Sequence, residues 1–445
     1  MRSVFFILFL LVLFPLYSQS IICVDAGHGG SDPGAVGHGL QEKNINLDVA
    51  NRFYNLLKNA GYKPYLTRSN DSSVSLSSRT NYANSIGANR FISIHCNAAN
   101  QSAHGTETFC YTGGSSTSFR MRDKTNPLVV QAMNTYNRGC KTADFYVVKY
   151  TNMPAILCEL AFIDNASDAA KLGDAYYRQR AAEALLNGLQ QTGREEQERT
   201  ELSNTYIAPL WSPDSSSLLV TTSGYHGLYL VSLDGMQVQE ITQESKAGYN
   251  ANWISAQEIE YKVQTERETQ YFSITKDLVK THTEGRKKEI HVFAQEGSIW
   301  MLQGSEKKCL SDSNDVYFNP VLSPDMSMVV YESLTSGLYV SFVAEDKKIA
   351  LGQGNHPSWT PDSTHIVCDI SQDNGQEILG SDLWLISAND PSSRTNLTQS
   401  KSFCAQRPCV SPDGKKIAFD AKGKIYVADL GKTLIQHCTE IPMKK

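Results

Sequence analysis

The chain has no excess of basic charge. Its 41 Lys and Arg stand against 46 Asp and Glu, a formal net charge of -5 over 445 residues, so no positive stripe is on offer to a phosphate backbone and nucleic acid is not an expected partner. It also lacks an apolar run of the about 20 residues that span a bilayer. The run Val4 to Leu16 follows Met1-Arg2, is shorter, and ends near the small residues Ser18 and Ser20. That pattern reads as a signal peptide over residues 1–20, with an uncleaved anchor as the alternative. A lipoprotein cysteine is missing too, because Cys23 is preceded by Ile22. Export without a stable membrane anchor is the expectation, to the periplasm or cell envelope. Hydrophobic residues make up 41% of the chain, which together with its length suggests an ordinary globular protein of two or three domains.

Ten cysteines in an exported chain invite disulfides. Cys96, however, directly follows His95, and Cys158 directly precedes Glu159. Strand alternation turns both away from their neighbours' side and into the layer beneath a helix, and Cys23 reads the same way. Cys404 and Cys409 are close enough for a small loop bridge, which spacing alone does not decide.

What is present concentrates in four short stretches. Ile21 to Val24 is a buried-strand pattern followed by Asp25-Ala26-Gly27-His28-Gly29-Gly30-Ser31-Asp32-Pro33-Gly34-Ala35. The glycines let the chain turn sharply and leave His28 at the carboxyl end of a strand, the edge where open α/β sheets bind ligands. Glu42 precedes a helical stripe of Ile45, Val49, Phe53, Leu56 and Leu57, closed by Gly61, and so falls in a helix's first turn. Phe91 to Ile94 is a second apolar strand, ending in His95. Pro154 to Cys158 is a third, ending in Glu159. Two imidazoles and a carboxylate at the ends of regular elements form the ligand set of a catalytic zinc that keeps one position for water.

These stretches resemble the zinc-dependent N-acetylmuramoyl-L-alanine amidases, over roughly residues 21–191. Further matches follow in order: Leu66-Thr67-Arg68, Ser75-Leu76-Ser77-Ser78-Arg79, Ile92 to Ala98, Gly105-Thr106-Glu107, Phe145 to Val148, Asn152 to Ala155 and Glu159 to Asn165. The resemblance implies hydrolysis of the amide between N-acetylmuramic acid and L-alanine in peptidoglycan, an activity of cell-wall remodelling that export fits. It places His28, Glu42 and His95 as zinc ligands and Glu159 as the catalytic acid/base. A metal is needed there because an amide is a poor electrophile with a poor leaving group, and one carboxylate that takes a proton and returns it serves both halves of the reaction.

The rest of this domain alternates strand and helix: strands at 62–66, 105–111 and 145–148, helices at 77–86, 127–135 and about 166–191. Such alternation predicts a sheet covered by helices on both faces. Thr112 to Thr125 is short, polar and rich in Gly and Ser, and reads as a loop bordering the substrate groove. His38 and His104 have no place in the zinc set and read as surface or rim residues, with substrate contact as the alternative.

Residues 192–203 are charged and core-free, the expected linker. Beyond them Trp211-Ser212-Pro213-Asp214 recurs as Leu322-Ser323-Pro324-Asp325, Trp359-Thr360-Pro361-Asp362 and Val410-Ser411-Pro412-Asp413, with a degenerate Trp253-Ile254-Ser255-Ala256. A period of about 40 residues, each unit holding two β-rich runs, signals propeller blades. The Pro-Asp pairs are turn formers. With a divergent unit at 289–311, the region 204–445 resembles TolB-type repeats and counts six blades. Asp312, Asn314 and Asp315 read as a solvated turn in preference to a calcium loop. The propeller carries no acid, base or metal set and is expected to recruit a protein partner or wall component. Two rival readings are a silent muropeptide-binding module, against which the retained His28, Glu42, His95 and Glu159 speak, and a propeller scaffold carrying a weak hydrolase.

Overall fold

The computed structural model describes residues 20–192 and 206–441, apart from 235–236, 245, 250, 265–268, 277, 279, 284–289, 400–403 and 432. Almost all of the expected signal peptide and linker therefore lies outside the described residues. No described helix is long and apolar enough to cross a membrane.

The N-terminal domain is built in chain order from β1 (Ile21–Ala26), α1 (Glu42–Asn59), β2 (Lys63–Leu66), α2 (Leu76–Ser85), β3 (Arg90–Asn97), β4 (Thr106–Cys110), α3 (Ser116–Met133), β5 (Asn137–Thr142), α4 (Tyr146–Lys149), β6 (Ala155–Phe162), α5 (Ala166–Gly173) and α6 (Ala175–Thr192). The six strands form one mixed sheet in the order β2-β1-β3-β6-β4-β5. The pairs from β2 to β6 are parallel, while β4 runs antiparallel to β6. The apolar runs of β1, β3 and β6 are buried on both faces, as a central parallel sheet requires. One face packs Ile45, Val49, Phe53 and Leu57 of α1 with Met121 and Val129 of α3 and Leu185 and Leu189 of α6. Cys96 and Cys158 lie in that layer, and none of the ten cysteines forms a disulfide.

Three expected elements come out differently. The polar stretch from Ser116 is helical and not a loop: Ser115 Oγ accepts from Ser118 N at 3.2 Å to cap α3, which then runs through Pro127. The helix expected at 127–135 is thus the C-terminal part of α3. The apolar quartet at 145–148 is the short helix α4, with Tyr146, Val147 and Val148 buried; so brief an apolar run does not distinguish helix from strand. The final helix is two, because Asp174 is extended (φ -88, ψ 124) and its carboxylate caps Tyr176 N at 2.8 Å.

Among the described residues six further sheets follow, of four strands each except a three-stranded third, between Tyr206 and Glu440. This is a six-bladed propeller. Its ring closes where the first and last blades meet: Tyr206 N donates to Gly423 O at 3.0 Å and Trp211 Nε1 to Cys409 O at 3.0 Å.

The propeller sits directly on the second face of the N-terminal sheet. Cys23, Phe91, Leu157, Tyr82, Tyr146 and Val147 share one buried cluster with Phe318 and Leu334 of the fourth blade. Asn81 of α2 donates to Glu332 Oε2 at 2.9 Å and meets His356 Nε2 at 2.9 Å. The Arg407 guanidinium lies 4.6 Å from the Tyr150 ring centre. A module expected to hang on a linker is thus packed against the N-terminal domain, which explains α2. Its polar residues Ser77, Ser78, Asn81 and Asn84 are all buried because the propeller and α4 cover a face that its composition would assign to water.

Candidate metal centre

The site forms where β1, β3 and β6 end. His28 follows β1, His95 lies near the end of β3, and Glu42 opens α1. Their ligand atoms all lie within 4.8 Å of one another, and all three residues are buried. Glu42 Oε1 is 2.9 Å from His95 Nδ1 and 3.2 Å from His28 Nε2, while Oε2 accepts Ala35 N at 2.8 Å. Burial alone would raise the Glu42 pKa, but the two imidazoles outweigh it and hold the carboxyl well below the carboxylate range. Burial likewise works against charge on His28, and Glu42 and Asp32 overcome it, raising that group. Asp32 Oδ2 meets His28 Nδ1 at 2.6 Å, the kind of contact that fixes a ligand's tautomer and ring angle. Gly27 is required for the approach, since a Cβ there would lie 2.2 Å from the His95 ring.

Glu159 is next to His95 in the β3–β6 register, and Glu107 faces it from β4. Burial first, then the carboxylates of Glu42 and Glu107, push Glu159 well above the ordinary carboxylate range. Its Oε2 is buried and has no hydrogen-bond partner among the described residues. A buried polar atom in that condition is costly unless the site is built for something to fill it. Two nitrogens and a carboxylate oxygen converging beside such an atom fit a divalent cation with an open position.

The four residues singled out from the sequence are therefore brought together. His38 and His104 are not, being exposed at the surface. Sequence reasoning assigned no role to Asp32, Glu107, Arg68 or Arg79. Arg79 donates to Ala26 O at 2.6 Å, His28 O at 2.8 Å and Asp25 at 2.7 Å, and Arg68 to Ala26 O and Gly27 O at 2.9 Å each. Two guanidinium groups thus gather the carbonyls of the turn that presents His28. Glu107 is held by Asn97 Nδ2 at 2.7 Å, Arg138 at 2.8 Å and Lys141. The signal for these was their recurrence in the matched motifs, which did not say what they touch.

The family described as N-acetylmuramoyl-L-alanine amidase matches residues 22–191. A Bacillus subtilis (strain 168) relative, the uncharacterized protein YqiI, is 44% identical over 171 residues, covering 38% of this chain and 82% of that protein. The chain belongs to this amidase family. The sporulation-specific N-acetylmuramoyl-L-alanine amidase of the same organism is 42% identical over 172 residues, 38% of this chain and 67% of that protein. LytC, an N-acetylmuramoyl-L-alanine amidase also of that organism, is 45% identical over 176 residues, which is 39% of this chain but only 35% of LytC. The amidase domain carries these likenesses.

Proposed function

We propose that the protein hydrolyses the amide between N-acetylmuramic acid and L-alanine in peptidoglycan, with zinc held by His28, Glu42 and His95 and with Glu159 as acid/base. The observation that carries this reading is the unpartnered, buried carboxylate oxygen of Glu159 beside the three convergent ligands. Zinc bound there supplies Lewis-acid polarisation of the scissile carbonyl and lowers the pKa of water towards 7. The chain's own residues do the rest. Asp32 orients the His28 imidazole through Nδ1, and the burial of His28, Glu42, His95 and Glu159 keeps bulk water from the reacting atoms. Glu159 takes a proton from the attacking water as the C–O bond forms, then delivers it to the alanine nitrogen as the C–N bond breaks. Glu159, buried beside Glu42 and Glu107, holds a proton more readily than an ordinary carboxyl, which suits the half of the reaction in which it serves as acid.

An exported, periplasmic or cell-envelope location follows from the substrate and from the N-terminal signal-like run. The repeat pattern, which resembles TolB-type repeats, supports a recruiting role for the propeller, towards a protein partner or a wall component.

Mass spectrometry of a muropeptide digest tests the reaction: free stem peptide beside intact glycan is expected, and cut glycan or cut peptide would overturn it. Within the same assay His95→Ala should lose both metal and activity. Glu159→Gln should keep its metal while turnover falls by about a hundredfold to ten-thousandfold. Loss of metal in the latter would make Glu159 a ligand.

A further inference from the structure

The fifth blade departs from its siblings. Its two middle strands run His365–Asp373 and Ile378–Ser387, nine and ten residues, whereas among the described residues the corresponding pairs of the other blades have five to seven. Three extra residues at about 3.3 Å each carry the hairpin about 10 Å beyond a blade of ordinary length. It reaches the metal centre. The tip turn is set by Asn374 Oδ1, which accepts from Gln376 N at 3.0 Å and Glu377 N at 2.8 Å. Gly375, at φ +85, lies so close to His28 that a Cβ would stand 2.5 Å from its Cε1 and 3.2 Å from Asp32 Oδ2. The tip is pinned just after that contact. Tyr146 N donates to Gln376 O at 2.9 Å, and Ile378 packs against the buried cluster of Tyr82, Phe91 and Tyr146.

We propose that this hairpin is a substrate-selecting wall of the amidase site, one that favours small muropeptides over continuous glycan strands. The inference rests on the peptidoglycan reading of the site. A cleft that takes a polymer in mid-strand must be open at both ends, so that sugars on either side of the cut residue can run on. A hairpin seated on His28 and anchored through Tyr146 and Ile378 closes one flank. A short fragment needs no exit there; an intact strand does. Selectivity then comes from a clash with the larger substrate and not from added affinity for the smaller. The propeller thereby becomes part of the cleft, and steric discrimination at the site is added to its recruiting role.

The test uses the full chain with Asp373–Ile378 replaced by a two-residue Asn-Gly turn, which fits a tight hairpin. Ile378→Asp, which removes the apolar anchor without shortening a strand, is the second variant. Rates are measured on a soluble monomeric muropeptide and on intact sacculi, together with metal content. Co-sedimentation with sacculi is measured in the Glu159→Gln background, where turnover plays no part. The expected result is a ratio of sacculus to fragment rate that rises by about fivefold or more in the shortened protein, by less in Ile378→Asp, with more protein sedimenting in both. An unchanged ratio and unchanged sedimentation would overturn the proposal. So would equal losses on both substrates with metal retained, because the hairpin would then position His28 without selecting substrate. If the parent protein releases no stem peptide from either substrate, the amidase reading fails, while sedimentation still decides whether the hairpin restricts access.

Discussion

Asp25 and Arg79 show how one buried pair can hold a turn in place. Both side chains are almost wholly buried, and Asp25 also accepts Thr67 and Ser93 hydroxyls at 2.6 Å each. Burial pushes the Asp25 pKa up, but Arg79 and the two hydroxyls prevail, so it lies below the usual carboxylate value. A depressed acid stabilises the fold above its unfolded pKa, and that stability is lost as pH falls through the folded value. Asp25→Asn strands the Arg79 charge and should cost about 3–5 kcal/mol at pH 7. The gap to the parent protein should narrow on acidification below about pH 3.9. Urea titrations at a series of pH values would show this, and a gap that stays constant down to pH 2 would refute the ionised pair. The same residues show what the sequence conveys. His28, His95 and Glu159 could be placed because each terminates an apolar strand, a local pattern. Asp25, Arg68, Arg79 and Glu107 act through contacts between residues far apart in the chain, which periodicity does not encode.

At the level of elements, the propeller repeat resolves into two devices. Trp211, Trp253 and Trp359 each donate the indole N–H to the preceding blade, at Cys409 O (3.0 Å), Leu210 O (3.4 Å) and Val321 O (3.0 Å). Those three carbonyls occupy the same place in their own repeats, one residue before the Trp or its equivalent, so the motif is a blade-to-blade latch. In the four intact repeats the Asp closes its turn on the preceding Ser or Thr hydroxyl at 2.6 Å. The next residue is left-handed in all four: Ser215 (φ 58), Met326 (φ 63), Ser363 (φ 59) and Gly414 (φ 72). Only the last is the residue that adopts this conformation without a steric penalty. Met326 is 46% exposed, so Met326→Gly loses little packing and should stabilise the protein by up to about 1 kcal/mol, the relief of a strained turn offset by a looser unfolded chain. Gly414→Ala should cost a similar amount. Thermal melts of the two variants check the pair, and a destabilised Met326→Gly would mean that the turn is not strained. The repeat and its turns were legible because they are local. The long hairpin of the fifth blade was not, since its extra residues fit the same alternation and only the position of the neighbouring domain gives them a purpose.

At the scale of the whole molecule, the contact between domains decides whether they unfold together. Asn81 bridges Glu332 and His356, and Arg407 pairs with Asp420 at 2.6 Å while lying over Tyr150. Burial raises Glu332 despite its neighbours. His356 is raised too, although its burial works the other way, because Asp369 and Glu332 favour its charged form. Removing Asn81 leaves both groups short of a partner. The chain carries its own reporters for the consequence. All five tryptophans lie in the propeller, and every α-helix among the described residues lies in the amidase domain. Indole fluorescence therefore follows one domain and circular dichroism at the helical band the other, without labels. Coincident transitions from two probes indicate one cooperative unit. The parent protein should give superimposable urea curves by the two methods. Asn81→Ala, which orphans buried polar groups worth about 1–3 kcal/mol each, should lower the midpoint and draw the two curves apart. Were the parent curves already separate, the domains would be independent bodies, and the packing of α2 and α4 on the propeller would contribute nothing to the stability of either.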